Sequence, residues 1–100
     1  MTQVKTILLI DDDDDLREAL TEQFVMTEEF AVVEAGTGAD ALQHLKNGLF
    51  DLLIVDVGLP DTDGRELCRL MRKQGLKTPV IMLTGHATDA DTILGLDAGA

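Results

Sequence analysis

Leu52-Leu53-Ile54-Val55-Asp56-Val57-Gly58-Leu59-Pro60-Asp61-Thr62-Asp63-Gly64 is an apolar run that ends in a carboxylate and then enters a turn-rich loop. The run Leu52 to Val55 has no polar alternation, which marks a strand covered on both faces. Working outward, Ile7-Leu8-Leu9-Ile10 has the same character and ends directly in Asp11 and Asp12. Downstream, Pro79 opens Val80-Ile81-Met82-Leu83, which leads to Thr84, Gly85 and His86. Three buried-type strands therefore deliver polar side chains at their carboxyl ends.

Helical patterns fill the gaps. Residues 4–10 read as the first strand. Leu16, Ala19, Leu20, Gln23 and Phe24 recur at helical spacing, so 14–26 is predicted to be an amphipathic helix. Asp13, Asp14 and Asp15 stand where carboxylates suit a helix N-terminus. Residues 30–34 form a short strand, and Ala41, Leu42 and Leu45 mark a second helix stopped near Asn47-Gly48. The third strand is 51–55, the third helix 64–74 and the fourth strand 80–83. A weaker pattern over 88–97 predicts a fourth helix.

Strand and helix in alternation imply an α/β fold with a doubly wound parallel sheet. Right-handed crossovers restrict the topology, and the flavodoxin-like order 2-1-3-4 sets strands one and three side by side. That adjacency brings Asp11, Asp12 and Asp56 into one pocket at the ligand-binding edge, with Thr84 one strand further on.

One hundred residues are read as one domain, 1–100. A net charge of −11 argues against nucleic-acid binding by this segment, because phosphate backbones need Lys and Arg. No apolar run approaches the ~20 residues of a membrane span, and no charged-then-apolar leader opens the chain. The single cysteine, Cys68, cannot form an internal disulfide, which suits a reducing cytoplasm. His44 is expected on a helix surface and Cys68 in packing.

Clustered carboxylates suit a hard divalent cation. Mg²⁺ takes about six oxygens, including one or two carboxylates and waters. Asp12 and Asp56 are the natural direct ligands, Asp11 binds directly or through water, and the loop after Asp56 can offer the Gly58 carbonyl. A carboxylate in such a site can also act as a nucleophile in phosphoryl transfer, with the cation neutralising charge on the transferring group. The Thr84 hydroxyl can then bond a phosphoryl oxygen, and Gly85 leaves room for its approach.

Ile10-Asp11-Asp12, Asp56 through Gly64, and Pro79 through Gly85 resemble, in order and spacing, the receiver (CheY-like) domain of two-component response regulators. The resemblance implies that Asp56 accepts phosphate from a sensor histidine kinase. It implies that Asp11 and Asp12 hold Mg²⁺ and that Thr84 contacts the phosphoryl group and moves on activation. It also implies that Gly58 and His86 line the hydrolysis path and tune phosphate lifetime. The domain would assist its own phosphorylation and dephosphorylation without turning over a separate substrate.

Gly95-Leu96-Asp97-Ala98-Gly99-Ala100 further resembles regulators that carry a winged-helix DNA-binding domain, so DNA would be reached through a C-terminal domain beyond this segment. Members of the family continue into a fifth strand with a Lys-Pro pair and then a fifth helix. No lysine here maps onto that position: Lys5 starts the first strand, and Lys46, Lys73 and Lys77 lie on or near helices. The chain is therefore read as a piece of a longer regulator, lacking the fifth strand and fifth helix. An open apolar edge on the fourth strand would then favour self-association. The alternative is an interaction or dimerisation module that keeps the fold without phosphorylation.

Three other patterns fail. Gly36-Thr37-Gly38 with Ala41 follows the second strand, not the first, and is no dinucleotide fingerprint. Asp61-Thr62-Asp63-Gly64 would place Leu70 where a calcium loop needs glutamate. A phosphatase of the haloacid-dehalogenase type needs an Asp two residues beyond Asp56, where Gly58 stands.

Overall fold

Alternation within the apolar strands decides which layer each side chain joins. The computed structural model describes residues 4–83 and 93–95. Elements follow as β1 (Lys5–Ile10), α1 (Asp14–Met26), β2 (Phe30–Ala35), α2 (Gly38–Asn47), β3 (Leu52–Asp56), α3 (Gly64–Lys73), β4 (Val80–Leu83) and β5 (Ile93–Gly95). Successive strand residues face opposite sides of a sheet. Leu8, Ile10, Leu53, Val55, Val80 and Met82 accordingly share one core with Ala41 of α2 and Leu67, Cys68 and Met71 of α3. Ile7, Leu9 and Ile54 form a second core on the other face, packed against Leu20 and Phe24 of α1. Phe24 and Phe30 meet edge to face, with ring centroids 5.6 Å apart.

The sheet order is β2-β1-β3-β4-β5. β1 pairs parallel with β2 and with β3, and β3 with β4, as the 2-1-3-4 order requires. Helices cover both faces, so the doubly wound architecture holds. Of the helix predicted over 88–97, only 93–95 lie among the described residues, and there the structure differs. Ile93–Gly95 is a strand lying antiparallel on β4, with Leu83 opposite Ile93 and Met82 opposite Gly95. β-branched Ile93 and flexible Gly95 are weak helix formers. The outer edge of β4 offers backbone donors and acceptors that need partners. That edge is therefore paired, and the open β4 edge expected from sequence does not occur in the described chain. β5 also carries no lysine.

Each of the three helices among the described residues starts on a side-chain cap. Asp13 accepts from the Leu16 amide at 3.0 Å, Thr37 Oγ1 from the Asp40 amide at 3.0 Å, and Asp63 from the Arg65 amide at 2.7 Å. Asp14 and Asp15 occupy the first turn of α1, near the positive end of its dipole. α2 has a further cap supplied from a distance. The carboxylate of Asp61 accepts from the Gly38 amide at 2.8 Å and from the Ala39 amide at 3.0 Å. No helix among the described residues is long and apolar enough to cross a membrane.

The start of α3 is pressed against the end of β3. A Cβ added at Gly64 would lie 2.3 Å from the Asp56 carbonyl oxygen, a backbone atom that cannot rotate away. Gly64→Ala is expected to destabilise the chain by about 1–3 kcal/mol, the usual cost of overpacking, in urea denaturation. Gly58→Ala, with open space around the new Cβ, should stay within about 0.5 kcal/mol.

The Asp61 cap carries a pH signature. Hydrogen bonds from the Gly38 and then the Ala39 amide hold its carboxyl below the usual aspartate range. A lowered folded-state value means that the cap contributes above the ordinary aspartate range and is lost as pH falls through the lowered value. The amide proton shifts of Gly38 and Ala39 should therefore titrate with a midpoint below that of an ordinary aspartate. Asp61→Asn should abolish that step.

Candidate functional site

Parallel register places the acidic strand ends together. Ile10 of β1 pairs with Val55 of β3, so the residues that follow, Asp11 and Asp56, leave the sheet side by side. Leu83, the last residue of β4, is registered against Asp56, and its carbonyl accepts from the Val57 amide at 2.9 Å. Asp11, Asp12 and Asp56 each offer a carboxylate oxygen within 4.8 Å of the others. Asp11 and Asp56 are 3% and 5% exposed, whereas Asp12 is open to solvent. Buried charges are normally paired or bound to a metal. Two buried acids beside a third make a donor set suited to a hard cation that wants oxygen ligands.

The electrostatics agree. Burial pushes the Asp11 carboxyl above the usual range, the hydrogen bond from the Asp13 amide opposes this, and repulsion from Asp56 and Asp12 adds to the rise. That bond, at 2.9 Å, turns the chain from β1 into the cap of α1. Asp56 is oriented in a similar way, its Oδ1 accepting from the Gly58 amide at 3.2 Å.

Arg17 anchors the other side of the site. Its Nη1 donates to the Asp11 backbone carbonyl at 2.5 Å, its Nε to Glu34 at 2.9 Å and its Nη2 to Asp14 at 2.6 Å. One guanidinium thus joins the end of β1 to β2 and α1. Arg17 was not legible as a site residue. A lone arginine in a helical pattern reads as solvated surface, and its carbonyl partner leaves no mark in sequence. Asp61 and Asp63 read as parts of the receiver-like motif and of a failed calcium loop, and neither reading shows that they cap α2 and α3. Their turn chemistry was visible, but not which helix each would serve.

The loop between β3 and α3 is closed on itself. Gly58 and Asp63 form an isolated antiparallel bridge, and the Gly64 amide donates to the Val57 carbonyl at 2.9 Å. Leu59 is buried with the α2–α3 core, which draws the loop onto the molecule. Of the predicted site residues, Asp11, Asp12, Asp56 and Gly58 come together at one edge. Thr84, Gly85 and His86 lie outside the described residues.

Comparison with known proteins accords with this geometry. The family model for the response regulator receiver domain matches residues 7–100. The transcriptional regulatory protein AfsQ1 of Streptomyces coelicolor is 40% identical over 95 residues, covering 95% of this chain and 41% of that protein. The transcriptional regulatory protein GltR of Pseudomonas aeruginosa is 44% identical over 98 residues, covering 96% of this chain and 40% of that protein. The chain thus spans about 40% of the length of these curated relatives. Among solved structures, the response regulator TrrA of Thermotoga maritima, in complex with Mg²⁺-BeF, superposes with a TM-score of 0.76 at 32% identity, over 84% of this chain and 72% of that one. A response regulator from Chloroflexus aurantiacus superposes with a TM-score of 0.77 at 36% identity, over 97% of this chain and 77% of that one. With a family match over nearly its whole length and an acidic cluster at the carboxyl edge of its sheet, the chain belongs to the response regulator receiver domain family.

Proposed function

We propose that this chain, as one receiver domain over 1–100, is a phosphoacceptor switch in which Asp56 receives a phosphoryl group from the phosphohistidine of a sensor histidine kinase. The observation that carries the reading is the burial of Asp56 at the end of β3, with Asp11 and Asp12 oxygens within 4.8 Å. An Asp56 oxygen would form the new O–P bond as the P–N bond to the kinase imidazole breaks. The Gly58 amide orients the carboxylate by donating to Oδ1.

Asp11, Asp12, Asp56 and the Gly58 backbone carbonyl are the groups that would hold Mg²⁺. Two buried acids and one exposed acid fit such an ion, which keeps several waters and prefers carboxylate oxygens. When bound, Mg²⁺ neutralises part of the charge on the transferring phosphoryl oxygens. Thr84 would donate its hydroxyl to the phosphoryl group, Gly85 would leave space for it, and His86 with Gly58 would tune its lifetime. The pull on Thr84 would bias the surface beyond β4 between two populations, which is how the signal would leave the domain.

In the whole regulator that surface would control self-association and an output domain, a transcriptional one by analogy with AfsQ1 and GltR. DNA would be bound by that output domain and not by this acidic segment. The setting would be cytoplasmic. The domain would promote only its own phosphorylation and dephosphorylation.

Incubation with acetyl phosphate and Mg²⁺ should add one phosphoryl group to the intact mass. Asp56→Asn or removal of Mg²⁺ with chelator should abolish it. An adduct that survives Asp56→Asn would sink the assignment. No adduct, even on a version extended to the length of the relatives, would favour a non-phosphorylated interaction module.

Cation binding has a separate readout. Mg²⁺ at about a hundred times its dissociation constant should add about 2.7 kcal/mol to the stability of the chain in urea, and Asp12→Asn should lose most of that gain. An unchanged urea midpoint with Mg²⁺ would rule out the cation site.

A further inference from the structure

The loop that carries Gly58 is tied to α2, which supplies none of the three clustered carboxylates. The first turn of α2 has its donors divided between two caps. Thr37 Oγ1 takes the Asp40 amide, and the Thr37 carbonyl takes the Ala41 amide at 3.1 Å. The two remaining donors, Gly38 and Ala39, are taken by one carboxylate oxygen each of Asp61. The fit is close as well as polar. A Cβ added at Gly38 would lie 2.5 Å from Thr62 Cγ2 and 3.3 Å from Asp61 Oδ1. The amino end of α2 and the tip of the loop therefore interlock, and a larger residue at position 38 would push them apart.

The other anchors of the loop are backbone bonds at its ends and the buried side chain of Leu59. Gly58 is bridged to Asp63, Gly64 is bonded to Val57, and the Gly58 amide holds Asp56 Oδ1. Asp61 is the side chain that fixes the tip between them. The path from α2 to Asp56 is short: hydrogen bonds from Gly38 and Ala39 to Asp61, the loop backbone back to Gly58, then a hydrogen bond to the Asp56 carboxylate.

We propose that Asp61 is a positioning residue for the cation pocket: by capping α2 from a distance it holds the 57–63 loop so that Gly58 and Asp56 are presented together. The proposal rests on the reading of that pocket as a Mg²⁺ site. Without the tether, ordering the loop becomes a cost charged to cation binding, and affinity falls. The coupling is reciprocal, so Mg²⁺ in the pocket steadies the amides of Gly38 and Ala39.

The test is calorimetric titration of Mg²⁺ into the chain, Asp61→Ala, Asp61→Asn and Asp40→Asn. Asp40 is an exposed acid on the same turn of α2, so Asp40→Asn removes a like charge and leaves the loop tether intact. Asp61→Ala should weaken Mg²⁺ binding about tenfold, as loss of an outer-shell partner does. Asp61→Asn, which keeps one acceptor oxygen, should fall between that and the parent chain. Asp40→Asn should stay within about twofold. Amide hydrogen exchange in the parent chain supplies an arm that needs no variant: Mg²⁺ should slow exchange at Gly38 and Ala39 as well as at Gly58.

Equal weakening by Asp61→Ala and Asp40→Asn would reduce the effect to charge and overturn the proposal. So would Mg²⁺ protection at Gly58 without protection at Gly38 and Ala39. Binding by the parent that is unchanged in Asp61→Ala overturns the proposal alone. Absence of Mg²⁺ binding by the parent overturns both it and the pocket reading.

Discussion

Like-charge crowding at the carboxyl edge of β1 and β3 is the constraint around which the local structure is arranged. The register that pairs Ile10 with Val55 is set by two apolar strands packing in a two-faced core, and it leaves Asp11 and Asp56 adjacent. Two carboxylates with oxygens within 4.8 Å of each other repel by roughly 3 kcal/mol or more at an effective dielectric near 20. The structure offsets part of this with the amides of Asp13 and Gly58 and with the Arg17 guanidinium on the Asp11 carbonyl. A cation in the proposed pocket would offset the rest. The cluster is thus held by the stability of the sheet and not by attraction among its own members.

The surrounding elements turn that cluster into an oriented site. Asp13 starts α1 one residue after Asp12, so the chain leaves the pocket along a helix whose amino end is capped by acids. Gly64 lets α3 begin against the Asp56 carbonyl, which draws the loop between them tight. Leu59 adds an apolar pin by burying itself in the core that α2 and α3 form with the sheet. A loop fastened at its ends by backbone bonds, in its middle by a buried leucine and at its tip by Asp61 has little freedom. This restraint is what a site needs if its ligands are to be in place before a cation arrives.

Much of the architecture was legible because apolar periodicity is strong in this chain. Ile7 to Ile10, Leu52 to Val55 and Val80 to Leu83 are unbroken runs, and the predicted helix 14–26 matches α1 (Asp14–Met26). Residues 93–95, read as helical, form a strand because the local pattern is weak and the outcome depends on a distant edge. A free edge on β4 can recruit Ile93–Gly95, and no local propensity reports where that edge lies. Arg17 and Asp61 escaped for a related reason: the bonds that tie them into the site, Arg17 to the Asp11 carbonyl and Asp61 to the Gly38 and Ala39 amides, go to backbone groups, and a backbone amide or carbonyl has no sequence identity.

The amino-acid sequence by itself determined the alternation of strands and helices, the parallel order of the first four strands, and the convergence of Asp11, Asp12 and Asp56. These follow from side-chain period and from the chain topology that such a period permits. Only the tertiary structure decided that Asp11 and Asp56 are buried while Asp12 is open. The same holds for Arg17 binding the end of β1, and for Asp61 serving a helix that ends before β3 begins. Burial and long-range hydrogen bonds depend on which surfaces meet once the layers are packed, and that is a property of the folded chain as a whole.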